Sequence, residues 1–135
     1  MALAVLLALA PGAAAATDLA QPSLADLQWV ARPIVVFADS ANDPRLAQQL
    51  ESFEARAKEL EARDVVILVD TDPAAGDDLR SRFRPRGFNV LVLGKDGQVK
   101  YRKPNPVSVK EVIRLIDRMP LRQQEMRASG TGAGN

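Results

Sequence analysis

The chain contains no cysteine and no histidine in its 135 residues. Without a thiol there can be no disulfide, thiolate nucleophile or dithiol redox cycle. Without an imidazole the usual general base for a serine nucleophile is missing, and the two commonest zinc ligands are absent together. Thiol oxidoreductase and cysteine-peroxidase activities are therefore excluded. An excess of one charge is lacking too. Lys and Arg number 18 against 17 Asp and Glu, a net charge of +1, so no broad basic surface for nucleic acid is expected. A phosphate loop is also missing. Gly94-Lys95-Asp96-Gly97 has no upstream glycine at the required spacing and joins two strand-like runs.

What is present fits one domain. The length is too short for two ordinary domains, and 47% hydrophobic residues suffice for a core. Residues 1–16 are almost wholly apolar and end in Ala14-Ala15-Ala16. This reads as a secretory signal with cleavage before Thr17, although no Lys or Arg precedes the run. The run is shorter than a membrane span, and Pro11-Gly12 would break a buried helix. A periplasmic or secreted protein is expected, with no membrane span after cleavage. Residues 17–26 read as a linker, 27–127 as the domain, and 128–135 as a flexible tail of small polar residues.

Three apolar runs set the architecture: Ile34–Phe37, Val65–Val69 and Val90–Leu93. They are continuous rather than alternating, which marks strands covered on both faces. The Gly94–Gly97 turn leads to Gln98–Arg102, which alternates polar and apolar residues and reads as an edge strand. A first helix starts with Asp43 as N-cap and Pro44 at the first position. Leu46, Leu50, Phe53, Ala57 and Leu60 give it one stripe over four turns. A second, short helix spans roughly Ala74–Phe83. A third opens on a Ser108/Glu111 capping box and is stopped by Pro120. The order is β-α-β-α-β-β-α. The expected fold is α/β, a four-stranded mixed sheet in spatial order 2-1-3-4 with helices on both faces.

Three blocks carry a family resemblance: Trp29 with Arg32–Phe37, Phe88–Gly97 with Lys100, and Ile116–Met126. Over roughly Leu27–Arg127 the chain resembles a domain-of-unknown-function family with a peroxiredoxin-like, thioredoxin-type fold. Its members occur as small exported bacterial proteins, and related domains occur in vertebrate extracellular proteins such as the sushi-repeat-containing proteins. The resemblance implies a fold but no activity. Where thioredoxins carry their redox pair, after the first strand, this chain has Ala38–Pro44. Where they place a cis-proline, it has Asn89. Arg86 lies near the peroxiredoxin arginine, but its spacing to Gly97 does not match.

Ligands of open α/β sheets bind beyond the carboxyl ends of the strands. There the candidate ligand residues are Asp39 and Ser40, with Asn42 and Asp43, then Asp70 and Asp72 with Thr71, and Asn89 and Arg86. Converging carboxylates would suit Mg²⁺ or Ca²⁺. Against this, Asp43 and Asp72 each precede a proline and suit helix caps, and no calcium-loop register fits. No metal site and no cofactor is expected. Arg80, Arg82, Arg84 and Arg86 with Lys100, Arg102 and Lys103 form either an anion-binding patch or a solvated face. Met119, Leu121 and Met126 either pack back on the sheet or form a partner surface. The leading expectation is a non-catalytic module that binds another envelope or extracellular protein. The alternative is a metal- or anion-dependent binder or enzyme using the carboxylates after the first two strands.

Overall fold

The computed structural model describes residues 21–75 and 78–130. The expected leader at 1–16, the start of the expected linker and the last residues of the tail lie outside them.

Strand β1 (Arg32–Phe37) is buried along its whole length. It pairs in parallel with β2 (Val65–Asp70), Ile34 lying beside Ile67. On its other side it pairs antiparallel with β3 (Asn89–Leu93), which pairs antiparallel with β4 (Val99–Lys103). The sheet order is β2-β1-β3-β4, as the sequence pattern predicts. Side chains alternate across a strand, so one continuous apolar run feeds two cores. Ile34, Val36 and Ala38 enter a core with Phe53, Val112 and Ile116. Val35 and Phe37 enter a second core with Leu27, Leu68, Phe83 and Leu91. Each fully buried side chain of this size contributes roughly 1.5–3 kcal/mol. Phe37 and Phe83 also meet edge to face, with ring centroids 6.4 Å apart.

Among the described residues, six helices and one 3₁₀ turn accompany the sheet. Residues 23–26, expected as linker, instead fold. Ser23 caps α1 (Leu24–Leu27), its hydroxyl accepting from the Asp26 N–H while the Asp26 carboxylate accepts from the Ser23 N–H. Asp43 caps α2 (Pro44–Ala55) as expected, accepting from the Arg45 N–H at 2.8 Å. The expected four-turn helix is broken, however. Arg56, at φ −127° and ψ 36°, separates α2 from a short α3 (Ala57–Glu61). The Arg56 N–H donates to Phe53 O at 3.2 Å, and its guanidinium grips Glu59 across the break. Within α2 the buried positions include Gln49, which the apolar stripe does not contain. The expected helix over 74–83 is a 3₁₀ turn (Pro73–Ala75) and then α4 (Asp78–Phe83).

Two further differences concern the end of the chain. Ser108 caps α5 (Val109–Asp117), its hydroxyl accepting from the Glu111 N–H at 3.1 Å. The Glu111 carboxylate does not complete the box. It accepts from the Tyr101 hydroxyl and lies 3.9 Å from Lys103 Nζ, because β4 offers it a stronger donor set. The third helix, α5, does end just before Pro120 as expected, but Pro120 also opens a further helix that was not expected. It is the first residue of α6 (Pro120–Ser129), a position that wants no N–H, and Met119 at ψ 135° is the corner. Helix α6 runs to Ser129 and is closed by Gly130 in the left-handed region, φ 77°.

Candidate functional site

The sheet has two chemically different ends. At the carboxyl ends of β1 and β2 the sequence places most of its candidate ligand residues, and Arg80 reaches into the same space. From α4, the Arg80 Nε donates to Asp70 Oδ1 at 2.8 Å, and Nη2 donates to Ala38 O at 2.9 Å and Asp70 O at 3.1 Å. Its guanidinium stacks on the Phe37 ring at 5.3 Å. Both side chains of the Arg80–Asp70 pair are over nine-tenths buried. One guanidinium thus ties the last residue of β2 to the loop leaving β1, where a ligand crevice would open.

The other carboxylates here are held apart. Asp72 Oδ1 accepts from the Ala74 N–H at 3.1 Å, capping the 3₁₀ turn. Asp43 is chelated by Arg45, which holds its carboxyl below the usual carboxylate range. Ser40 Oγ accepts from the Asn42 N–H at 3.0 Å, and Asp39 is exposed. Asn89 is buried at the start of β3. It donates to Arg86 O at 3.0 Å and accepts from Arg102 Nε at 3.3 Å, while the Arg86 side chain stays exposed. Among the described residues, no group of three or more Asp, Glu, Cys or His is placed to hold a metal. The arginine-rich stretch is dispersed: Arg80 is buried, Arg82 stacks on Phe83 at 5.1 Å, and Arg102 turns to Asn89.

The opposite end, where β1 begins and β3 ends, carries a groove of about 380 Å³ lined by Trp29, Lys95, Lys100, Met119, Pro120 and Leu121, with Arg32 beneath. Trp29 is 64% exposed and its neighbour Val30 63%. Trp29 has φ 68°, a left-handed conformation rare for a bulky side chain. Its N–H donates to Lys95 O at 2.7 Å, and Gln28 Nε2 donates to Asp96 O at 3.1 Å, so the β3–β4 turn holds this segment in place. Of the three residues expected at a partner surface, Met119 is buried in the first core. Leu121 is exposed on the groove wall and Met126 is half-buried.

Beneath the groove lies an ion-pair network. Arg32, fully buried, donates from Nη1 and Nη2 to the Glu125 carboxylate at 3.1 and 3.2 Å, and from Nη1 to Arg63 O at 2.9 Å. Lys95 Nζ lies 2.8 Å from Glu125 and 2.9 Å from Asp64. Asp117 accepts from Arg63 at 2.9 Å and from Arg122 at 3.4 Å. For Glu125, burial pushes its carboxyl up, but hydrogen bonds from Lys95 and Arg32 outweigh it and hold the group below its usual range. Asp117 shows the same balance, with burial outweighed by Arg63 and Arg122. No residue of α6 is fully buried, so these pairs supply much of its attachment. The block Met119–Met126 had no local reason for its Arg-Gln-Gln-Glu run, and this network supplies one.

Sequence reasoning did not single out Trp29, Val30, Arg32 or the position of Arg80 as site features. Trp29 is the only tryptophan and stands beside an apolar Val30 just before β1, a local signal of an apolar projection. Arg80 had no signal, because it was one basic residue among four at alternate positions.

A βαβ unit followed by an antiparallel hairpin and helix, in a chain with no cysteine, defines a thioredoxin-fold domain without its dithiol chemistry. The fold has solved counterparts. The chain is similar to a thioredoxin-2 described as a component of the malaria parasite protein secretion machinery, with a TM-score of 0.53 and 17% identity over 66% of this chain and 84% of that one. It is also similar to a 2-Cys peroxiredoxin of Plasmodium vivax, with a TM-score of 0.60 and 11% identity over 76% of this chain and 83% of that one. The chain belongs to the family described as Domain of unknown function (DUF4174), whose model matches residues 23–125. A vertebrate relative is Coiled-coil domain-containing protein 80 of Danio rerio, 32% identical over 133 residues. That match takes in 76% of this chain but only 15% of the relative's length. Among the described residues, no helix is long and apolar enough to cross a membrane.

Proposed function

We propose that this protein is an exported, non-catalytic binding module that uses the Trp29–Leu121 groove to hold an apolar side chain projecting from another envelope or extracellular protein. The carrying observation is Trp29 itself, a large apolar side chain kept exposed at φ 68°. Such a backbone costs on the order of 1–3 kcal/mol and persists where surrounding contacts impose it, commonly at binding sites. The charges around the groove are already matched: Lys100 by Asp96, Lys95 by Asp64 and Glu125, and Arg32 by Glu125. The complementary partner feature is therefore apolar rather than ionic. At the other end of the sheet the Arg80–Asp70 clamp occupies the ligand crevice, which supports a non-catalytic reading. Export is supported by the apolar run at residues 1–16.

Trp29→Gly separates binding from folding. Glycine suits φ 68°, so the variant is expected to be as stable as the parent or about 0.5–1 kcal/mol more stable, while losing partner binding. A photo-crosslinker at Val30 is expected to capture one partner in the exported fraction. Leu121→Arg is expected to abolish that capture, and Asp72→Ala and Arg86→Ala to leave it unchanged. Capture that survives Trp29→Gly and Leu121→Arg sinks the proposal.

A further inference from the structure

The two outer edges of the sheet are guarded differently. The β4 edge carries Lys100, Arg102 and Lys103 and is irregular between Val92 and Leu93, devices that deter strand pairing. The β2 edge has neither between its flanking Asp64 and Asp70. Residues Val65–Val69 are uncharged and contain no proline, and Val66, Ile67 and Val69 are only half-buried. The register fixes which backbone groups face outward. Asp64 O and Asp70 O accept from Arg32 N–H and Ala38 N–H, so the even-numbered carbonyls point at β1. In a parallel ladder the odd residues Val65, Ile67 and Val69 then present both N–H and C=O on the outer side.

At one of these positions the occupant is visible. The Gln21 side-chain amide donates from Nε2 to Val69 O at 3.1 Å and accepts at Oε1 from the Val69 N–H at 2.9 Å. That pair of bonds is the one a neighbouring strand's peptide groups would make. Among the described residues nothing else is hydrogen-bonded to the outer groups of Val65 and Ile67.

We propose that the outer edge of β2 is a pairing site for a second copy of this chain, with Gln21 as the side chain that holds it partly shut. Antiparallel pairing about a two-fold axis sets Ile67 opposite Ile67 of the copy and Val65 opposite Val69. Every outward N–H and C=O on the three residues is then satisfied in one isologous interface. The flanking side chains form β-branched cross-strand pairs, which favour association. This register also sets Asp64 opposite Asp70 of the copy, but each is already ion-paired within its own chain, with Lys95 and Arg80, whereas the same operation on β4 would set the exposed Lys100 opposite Arg102. The charge pattern thus selects β2, and the self-complementary strand selects a second copy as its partner. The result is a continuous eight-stranded sheet.

The test is the oligomeric state of the full chain and its variants by sedimentation velocity, from micromolar to millimolar concentration. Gln21 is exposed, so Gln21→Ala leaves the fold intact and opens Val69. Two backbone groups are released on each copy, and two restored hydrogen bonds, each worth about a factor of five, already tighten dimerisation about 25-fold or more. As a second readout, Ile67→Cys introduces the only cysteine in the chain. Facing Cα atoms of a hydrogen-bonded antiparallel pair lie about 5.5 Å apart, within disulfide reach. Mild oxidation is therefore expected to give a covalent dimer, and Lys110→Cys on the solvent side of α5 is not. The proposal fails if Gln21→Ala stays monomeric across the range, or if both cysteine variants cross-link at the same rate. A monomer whose Ile67 amide is still protected from exchange overturns it too, since a different strand then holds the edge.

Discussion

Replacing Glu125 by alanine removes the main counter-ion of a fully buried arginine. Arg32 has no exposed surface and donates two bonds to Glu125 and one to Arg63 O, while the Glu125 side chain is 24% exposed. Breaking a buried ion pair from one side costs about 3–5 kcal/mol, because the remaining charge stays desolvated. Partial exposure of Glu125 lets water reach the gap, which puts the expected loss at the lower end, about 3 kcal/mol. For a domain of this size that lowers Tm by roughly 12–20 °C. Arg32→Met removes the buried charge itself and fills similar volume, leaving Glu125 with Lys95 at 2.8 Å and with water. Its expected cost is about 1 kcal/mol or less. The ordering is the test, read by urea denaturation followed by far-UV circular dichroism. Equal losses in the two variants, or a larger loss for Arg32→Met, would refute the reasoning. The same network sets an acid limit. Glu125 and Asp117 are held below their usual range in the folded protein, so they bind protons less readily than in the unfolded chain. Their contribution is complete above their unfolded values of about 4.3 and 3.9 and fades as pH falls further, through the folded values. Amide exchange is expected to show α6 loosening before the sheet as pH drops below about 4, and simultaneous loss of both would contradict this.

Two further outcomes follow from single side chains. Tyr101 is the only tyrosine, and its hydroxyl is raised above the ordinary tyrosine value by its bond to Glu111, then by burial and by the Glu111 charge. Ultraviolet absorbance titration should therefore give a midpoint above about 10, moved down by Glu111→Gln, and an unchanged midpoint would show the bond is absent in solution. Gln49, fully buried, donates to Val107 O at 3.0 Å and accepts from the Val107 N–H at 2.7 Å. Gln49→Leu orphans both backbone groups and is expected to cost about 2–4 kcal/mol by chemical denaturation, against near-neutrality if water replaces the amide.

Much of the frame was legible along the chain because its signals are local. Continuous apolar runs marked strands covered on both sides, and the parallel crossover followed from the helix between the first two. Asp43-Pro44 and Ser108 announced helix starts with their own short-range bonds. Glu111 shows where locality stops. Its capping-box spacing was correct, but the Tyr101 hydroxyl ten residues back took the carboxylate. Pro120 both follows the end of α5 and begins α6, and only the second role was illegible, because it depends on the packing of Met119 into the core. At the candidate site the gap is wider. The carboxylates after β1 and β2 were correctly gathered at one sheet end, yet their partners were invisible, because Arg80 approaches Ala38 from 42 residues away.

By itself, the sequence decided which chemistries are closed to this protein. With no thiol and no imidazole, no folding can create them. It also decided the order of strands, since burial on both faces requires uninterrupted apolar runs. Tertiary structure decided what the scaffold carries in place of a redox pair: the Arg80–Asp70 clamp at one end, and at the other an exposed Trp29 above Arg32 and Glu125. Those two residues lie 93 positions apart. Whether an arginine is solvated or buried depends on which carboxylate the fold brings beside it, and no local pattern encodes that distance.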